Sequence, residues 1–282
     1  MARTQYLESD KVDDTQIVVT STWSDNANAL TTIHTSSTQA DFTTPTSSGA
    51  FFIEVFNVAT GSANAAVQYA AAYGHKAGSG SLDFTNDAGA IGNSPSKVIY
   101  NQYRQLVFGD ETQNFQFPGD GSTNAHTPDD IYVININRSR YKNSLKAGSL
   151  NLTLCVTQSA DSDVAGNKLT LTDDSVTSTG SAQITNAGRQ FNIVSGSNGV
   201  RLGDSNVQVV GSGSYGLFYP DAGFIILNPD ALKHTLTGSA GNVSASITPG
   251  VSSNTADNNH QKLVNAISGG GSFIVDSEEK IS

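Results

Sequence analysis

The sequence predicts a mainly β fold, built from antiparallel sheets or a sandwich, with one principal helix and one or two short helices. Three observations predict it. Strand-length apolar runs alternate with clusters of Gly, Ser, Asn and Asp. One longer segment has helical periodicity between clear start and stop signals. Hydrophobic residues make up 37% of the chain, enough for a packed core.

The N-terminal region begins with a strand and continues into a long polar stretch. We expect a strand at residues 16–20 and, after it, an extended arm that reaches Gly49 and contains the only tryptophan, Trp23. Such polar stretches bury too little apolar surface to order themselves, so we expect this arm to be ordered only against another subunit.

Two domain units follow from this division. Residues 1–49 form the N-terminal strand and extended polar arm, and residues 50–282 form a mainly β structural domain. A polar stretch near 158–188 could split the second unit into two subdomains.

A β-hairpin is predicted where two apolar runs flank a short polar connector. The runs are residues 51–56 and 66–73, and the connector at 59–64 has turn composition. In the second run one face collects alternate residues: Val67, Tyr69, Ala71 and Tyr73. Further strands are expected at 130–137, 150–157, 168–171, 189–194, 207–210, 216–219 and 224–227, with a turn at 219–223.

The principal helix is predicted at residues 95–108. Ser94 is a good N-cap, Pro95 suits the first helical position, and Gly109 can end the helix in the left-handed conformation. The apolar stripe of this helix is Ile99, Tyr103, Leu106 and Val107. A second helix is expected at 258–268, capped by Asp257, and a short third one opens at 228–230.

Composition and charge exclude several classes of function. Charged residues make up 14% of the chain, and 15 basic against 25 acidic residues give a net charge of −10. Binding to nucleic acid needs clustered Lys and Arg, so we expect no nucleic-acid partner. The single cysteine excludes a disulfide framework within the chain and a multi-cysteine zinc site. No apolar run approaches the roughly 20 residues that span a bilayer, so no membrane partner is expected.

Two short patterns resemble ligand-binding motifs. GSGSYG at 211–216 matches the dinucleotide fingerprint, but a strand-like segment follows where that site needs a helix. DSDVAG at 161–166 begins like a calcium loop, but Thr172 stands where a bidentate Glu is required. We interpret both segments as turns.

Histidine and cysteine chemistry is also sparse. His126, Asp129 and Asp130 form the only local cluster of metal or acid–base ligands, and a turn before a strand explains it well. Cys155 lies in a strand with no basic neighbour in sequence to lower the pKa of its thiol. We therefore predict no catalytic, cofactor-binding or metal-binding residues, and a protein that is not an enzyme.

One concentrated basic segment stands out in this acidic chain. Arg138, Arg140 and Lys142 are followed closely by Lys146. Arginine forks suit carboxylates at an interface, so these three residues are predicted to contact an acidic neighbour. The alternative is a set of intramolecular ion pairs or a solvated loop. Trp23 is the predicted aromatic anchor of the arm at an interface, with packing on its own β domain as the alternative.

Several strings resemble virion structural proteins of contractile-tailed phages, especially those that infect marine cyanobacteria. They are VQYAAAYGHKAGSGS at 67–81, IYNQYRQL at 99–106, DIYVININR at 130–138, LKAGSL at 145–150 and YGLFYPD at 215–221. The resemblance implies a structural part of the tail, baseplate or neck, with no enzymatic residues to carry over. It also implies synthesis in the host cytoplasm, a final place in the virion, and partners that are other virion proteins and copies of this chain in a symmetric assembly. A fibre or receptor-binding protein, or a tail-associated polysaccharide hydrolase, remains an alternative.

Overall fold

A computed structural model describes residues 16–35, 52–81, 94–118, 125–155, 168–176, 182–201, 213–233, 247–252 and 258–281. Its strands are Gln16–Ser21 (β1), His34–Thr35 (β2), Phe52–Phe56 (β3), Val67–His75 (β4), Asp130–Ile136 (β5), Ser144–Leu145 (β6), Asn151–Cys155 (β7), Lys168–Asp173 (β8), Gln183–Thr185 (β9), Gly188–Ser197 (β10), Val200–Arg201 (β11), Gly216–Tyr219 (β12), Phe224–Leu227 (β13), Ser272–Ile274 (β14) and Asp276–Ile281 (β15). The helices are Pro95–Phe108 (α1), Pro229–Leu232 (α2) and Asn259–Ser268 (α3). The predicted mainly β fold with few helices is confirmed.

The described strands form a large and a small antiparallel sheet. The large sheet has the order β14-β7-β8-β10-β12-β13-β5-β4-β3-β2, with β9 and β11 paired to β10 beside this path. The small sheet has the order β1-β15-β6. Because β1 pairs with β15, the first described strand lies beside the last.

The predicted hairpin of residues 51–56 and 66–73 and the predicted turn at 219–223 are both present. The pair β3 and β4 is antiparallel, as is the pair β12 and β13. The turn between β12 and β13 uses Gly223 at a φ of 74°, which an L side chain rarely adopts. A Cβ at this position would also lie 2.3 Å from the hydroxyl oxygen of Tyr141. This turn is therefore specified both by backbone conformation and by a close side-chain neighbour.

Both faces of the large sheet are covered in its centre. Along β5, Tyr132 and Ile134 pack into one hydrophobic core, and Ile131 and Val133 pack into a second. The first core includes α3 through Leu263, Val264, Ala266 and Ile267, and the second includes α1 through Ile99, Tyr100, Tyr103 and Val107. The strand β4 is likewise buried on both faces, more extensively than the single-face alternation predicted.

The helix α1 has the predicted bounds. Pro95 occupies its first turn, and Gly109 ends it at a φ of 67° with a backbone N–H bonded to the Gln105 carbonyl. Ser94 has the extended N-cap conformation, although its side chain caps no helix N–H. Leu106 departs from the predicted stripe, because it is 45% exposed while Tyr100 takes its place in the core.

The described part of the predicted arm, residues 20–35, lies on the chain's own β domain. Leu30 and Phe273 exchange two backbone hydrogen bonds of 2.9 and 3.0 Å, and β2 pairs with β3. For residues 20–35, this corrects the expectation that the arm is ordered only against another subunit. Residues 36–49, the predicted strand at 207–210 and the predicted cap Asp257 lie outside the described residues.

None of the helices in the described ranges has the length and apolar character needed to cross a membrane.

Candidate functional site

The predicted basic residues lie in a short turn at the end of β5 and directly after it. The side-chain oxygen of Asn137 accepts hydrogen bonds from the backbone N–H of Ser139 at 3.0 Å and from its hydroxyl at 2.8 Å. These bonds start a single turn of 3-10 helix, Arg138–Arg140. Such local capping by Asn is encoded in the sequence itself. We call Arg138, Arg140 and Lys142 the basic surface.

Arg138 is exposed and is held by neutral groups. Its guanidinium carbon lies 4.6 Å from the ring centroid of Tyr141, and its Nη1 donates to the Tyr141 carbonyl at 2.7 Å. Tyr141 is buried and donates its hydroxyl hydrogen bond to the carbonyl of Ala222 at 3.1 Å. The stacking orients the arginine but leaves its charge uncompensated.

Arg140 and Lys142 are also held without carboxylates. Arg140 is half-buried and donates to the hydroxyls of Ser24 and Ser139. Lys142 is exposed, and only its backbone N–H is anchored, by a 2.8 Å bond to the Ser277 hydroxyl. Among the described residues no carboxylate forms an ion pair with the basic surface.

An open groove of about 560 Å³ adjoins the basic surface at Arg138. Part of its floor crosses three strands in one row, where Glu54 of β3 faces Ala70 of β4 and Ala70 faces Asn135 of β5. Asn135 is exposed although β5 is a central strand. The small Ala70 side chain leaves the space beneath α1 open, and the polar side chains on either side, half-buried Glu54 and exposed Asn135, line the groove.

One wall of the groove is α1 and the other is the turn that carries the basic surface. Gln102 and Tyr103 line it from the helix, and Arg138 and Tyr141 line it from the turn. Burial raises the pKa of Tyr103 to about 12, and the Asn135 side chain is a hydrogen-bond partner of its phenol. Burial also raises the pKa of Tyr141. Both phenols therefore stay neutral at ordinary pH, and the formal charges on the lining are those of Glu54 and Arg138.

Trp23 lies in the core of its own chain and not on a free surface. It is 3% exposed, and its ring packs 4.9 Å from the Phe273 ring and 6.4 Å from the Tyr69 ring, measured between centroids. The interface role predicted for Trp23 is replaced by the alternative, packing on its own β domain. Trp23 therefore packs the segment that follows β1 against β4 and β14.

The predicted His126, Asp129 and Asp130 cluster is divided by the fold. His126 Nε2 lies 2.7 Å from Asp230 Oδ2, and Asp129 lies 3.8 Å from the ammonium of Lys76. Asp230 also pairs with Lys233. In the described ranges there is no group of three or more His, Cys, Asp or Glu side chains that could hold a metal ion.

Asp130 has the most perturbed carboxyl of this neighbourhood. Burial, and secondly repulsion by Asp230, raise the pKa of Asp130 to about 6. The Tyr73 hydroxyl donates to it at 3.3 Å. Hydrogen bonds from Lys233 and His126 outweigh burial at Asp230 and lower its pKa. We call His126, Asp130, Asp230 and Lys233 the Asp230 network.

The other predicted patterns have structural explanations where the structure describes them. Directly after Gly216 the chain runs as strand β12, so the glycine-rich segment is not followed by a helix. Cys155 is buried in β7, and burial raises the pKa of its thiol. The segment 161–166 lies outside the described residues.

Sequence reasoning missed the groove and the role of Asp230. The sequence singled out Asp230 only within a helix start, and its partner His126 is 104 residues away. Glu54, Ala70 and Asn135 become neighbours only through the strand register. Comparison with protein-family models, with curated proteins and with solved structures finds no match to this chain.

Proposed function

We propose that this protein is a structural component of a tailed-phage virion, in the tail or baseplate, where it makes repeated contacts with other virion proteins and with copies of itself. The observation that carries the proposal is the basic surface, which is held in place by neutral groups and has no carboxylate partner among the described residues. A fixed cationic site on a chain of net charge −10 is suited to an acidic neighbour.

The low charge content and the resemblance of five strings to phage virion proteins support the same role. A position in the neck or collar, or in a receptor-binding fibre, would use the same surface chemistry and is the alternative. A polysaccharide hydrolase fits less well. Such an enzyme needs two carboxylates that face each other across a cleft, and the groove is lined by one described carboxylate, Glu54. We therefore propose a binding role and not a catalytic one.

Localisation tests the proposal directly. A density map of whole virions, or gold labelling of them, is expected to place the chain in the tail or baseplate. Finding the protein only in the infected-cell lysate, and absent from purified particles, would refute the proposed function.

The role of the basic surface is tested by charge removal. The triple variant Arg138→Gln, Arg140→Gln, Lys142→Gln is expected to enter particles at least about tenfold less efficiently, since charge contacts at interfaces are lost. The matched control removes three basic charges elsewhere, by Lys76→Gln, Lys97→Gln and Lys168→Gln. The amount of each variant in purified particles is measured by quantitative mass spectrometry. Equal incorporation of the triple variant and the control would show that the basic surface makes no such contact.

A further inference from the structure

Among the described strands, β1 lies at one edge of the small sheet. It pairs with β15 over six residues, from Gln16 opposite Ile281 to Ser21 opposite Asp276. Along the other side of β1, the backbone groups of residues 16–20 form no hydrogen bond with any described part of the chain. An unpaired edge of this kind is a template for another strand.

Within its described residues, β1 carries no charge, proline or bulge of the kind that often protects such strands. Natural edge strands carry charges, prolines or bulges that prevent pairing with another chain. The sequence of β1 is QIVVTS, with no charge and no proline, and its register with β15 is unbroken. Ile17 is 58% exposed and Val19 is 40% exposed, both on the same face. The strand therefore offers both backbone hydrogen bonds and apolar side chains.

We propose that β1 pairs antiparallel with β1 of a second copy of this chain, about a twofold axis at Val18. In this register Ile17 of one copy lies opposite Val19 of the other, and Gln16 lies opposite Thr20. The strand is thus complementary to itself, with β-branched residues opposite each other and polar residues opposite each other. Such cross-strand pairs stabilise antiparallel sheets, and a twofold contact uses the same patch on both subunits.

The geometry of the β1 edge favours the antiparallel twofold arrangement. Lys280 lies beside Ile17, and Glu278 lies beside Val19. In the antiparallel pair, each row across the four central strands begins at Lys280 of one copy and ends at Glu278 of the other. A parallel pair through the same edge would turn one copy over, so that Ile17 and Val19 of the two copies would lie on opposite faces of the joined sheet. The facing of the side chains therefore selects the antiparallel direction, and the charges on β15, which lie three strand spacings apart across the pair, do not oppose it.

The opposite face of the paired sheet does not oppose this arrangement. There Glu279 lies beside Val18, so the two Glu279 residues share the central row. Three strand spacings separate them, about 14 Å. This separation exceeds the Debye length of about 8 Å at physiological ionic strength, so their repulsion is largely screened. The result is a continuous six-stranded sheet with the order β6-β15-β1-β1-β15-β6.

This inference rests on the part of the proposed function in which copies of the chain contact each other, but the pairing is a property of the isolated chain. Sedimentation velocity of the full chain over a range of concentrations is expected to show a monomer–dimer equilibrium. A chain that stays monomeric at its highest soluble concentration would overturn the pairing. Its presence in purified particles would still support the proposed function, so the two failures are distinguishable.

Two double variants test the register. Ile17→Glu with Val19→Glu places like charges opposite each other and is expected to weaken dimerisation at least about tenfold. Ile17→Glu with Val19→Lys places opposite charges across the twofold axis and beside Lys280 and Glu278, and is expected to restore the dimer. The matched control is Val98→Glu with Leu106→Glu, two exposed apolar residues of α1. Circular dichroism verifies that each variant is folded.

The outcomes decide the proposal. Loss of the dimer in the first variant and its return in the second support antiparallel β1 pairing. A dimer that survives the first variant, or that is lost equally in the α1 control, refutes it. Failure of the second variant to restore the dimer refutes the proposed register.

Discussion

The basic surface and the Asp230 network differ in whether their charged side chains have ionic partners among the described residues of the chain. In the network Asp230 is paired with Lys233 and with His126, the latter at 2.7 Å, while burial and repulsion by Asp230 disfavour the charged form of Asp130. At the basic surface, Arg138 and Arg140 are held by an aromatic ring, a carbonyl and hydroxyls. Paired charges contribute to folding within the chain, whereas positioned but unpaired charges are available to a neighbour. Mutations in the Asp230 network are therefore expected to change the stability of the fold, and mutations at the basic surface are expected to change assembly.

The largest expected change in the free energy of unfolding comes from displacing Tyr141, whose ring supports Arg138 of the basic surface. In Gly223→Ala a methyl group meets the Tyr141 hydroxyl at 2.3 Å, at a backbone φ of 74°. We expect a loss of about 3 kcal/mol in the free energy of unfolding, from strain and from the lost hydrogen bond to Ala222. Urea unfolding measures it. Gly61→Ala is the control, because a Cβ at Gly61 meets no atom within 4 Å. Equal stability of the two variants would contradict the close packing of Tyr141 on the turn.

The Asp230 network is expected to make stability depend on pH through Asp130. Its pKa in the folded chain, about 6, lies above the usual value of 3.8 for an aspartic acid, so folding favours the protonated carboxyl. This stabilisation is fully present below pH 3.8 and is lost as the pH rises through 6. Asp130→Asn keeps the neutral form at every pH. We expect this variant to exceed the wild type by about 2 kcal/mol at pH 8 and to match it near pH 4.

Urea unfolding at several pH values measures this difference, and Asp129→Asn serves as the control on the neighbouring, exposed carboxyl. A constant difference between Asp130→Asn and the wild type from pH 4 to pH 8 would contradict a raised pKa for Asp130.

A smaller loss in the free energy of unfolding is expected when the carboxylate of Asp230 is removed. Asp230→Asn leaves His126 and Lys233 without their acidic partner, and we expect about 1 kcal/mol of destabilisation at pH 7 and low salt. The same change removes the repulsion on Asp130, so the pH midpoint assigned to Asp130 is expected to fall. Nuclear magnetic resonance titration of the Asp130 carboxyl carbon checks the second effect. An unchanged midpoint would show that burial alone sets the pKa of Asp130.

The smallest effect on stability is expected at the basic surface itself. The charges of Arg138 and Lys142 have no described ionic partner, so Arg138→Gln and Lys142→Gln are each expected to change the free energy of unfolding by less than about 0.5 kcal/mol. Thermal unfolding at low and high salt measures this. A loss above about 1 kcal/mol in either variant would mean that the residue serves the fold and not a neighbour.

Local signals explain which parts of the fold were predictable. The bounds of α1 follow from Pro95 and Gly109, both of which act within one turn of the helix. The strand β15 was not predicted, because its sequence DSEEKI is polar and it becomes a strand only between β1 and β6. The basic surface was predictable as a cluster in sequence. The groove was not, because register alone brings Glu54 and Asn135 to either side of Ala70.

The pairing of β1 with β15 also has a consequence for the order of events during synthesis. Roughly 260 residues separate Ser21 from Ile281, so β1 leaves the ribosome long before its partner strand exists. At about 5–20 residues per second, this interval is roughly 13 to 50 s. The small sheet therefore closes after most strands of the large sheet, its edge strand β14 excepted, have had time to form. During this interval β1, an uncharged and β-branched segment, has no partner strand. Nascent chains on neighbouring ribosomes would be most prone to misassociate through this segment.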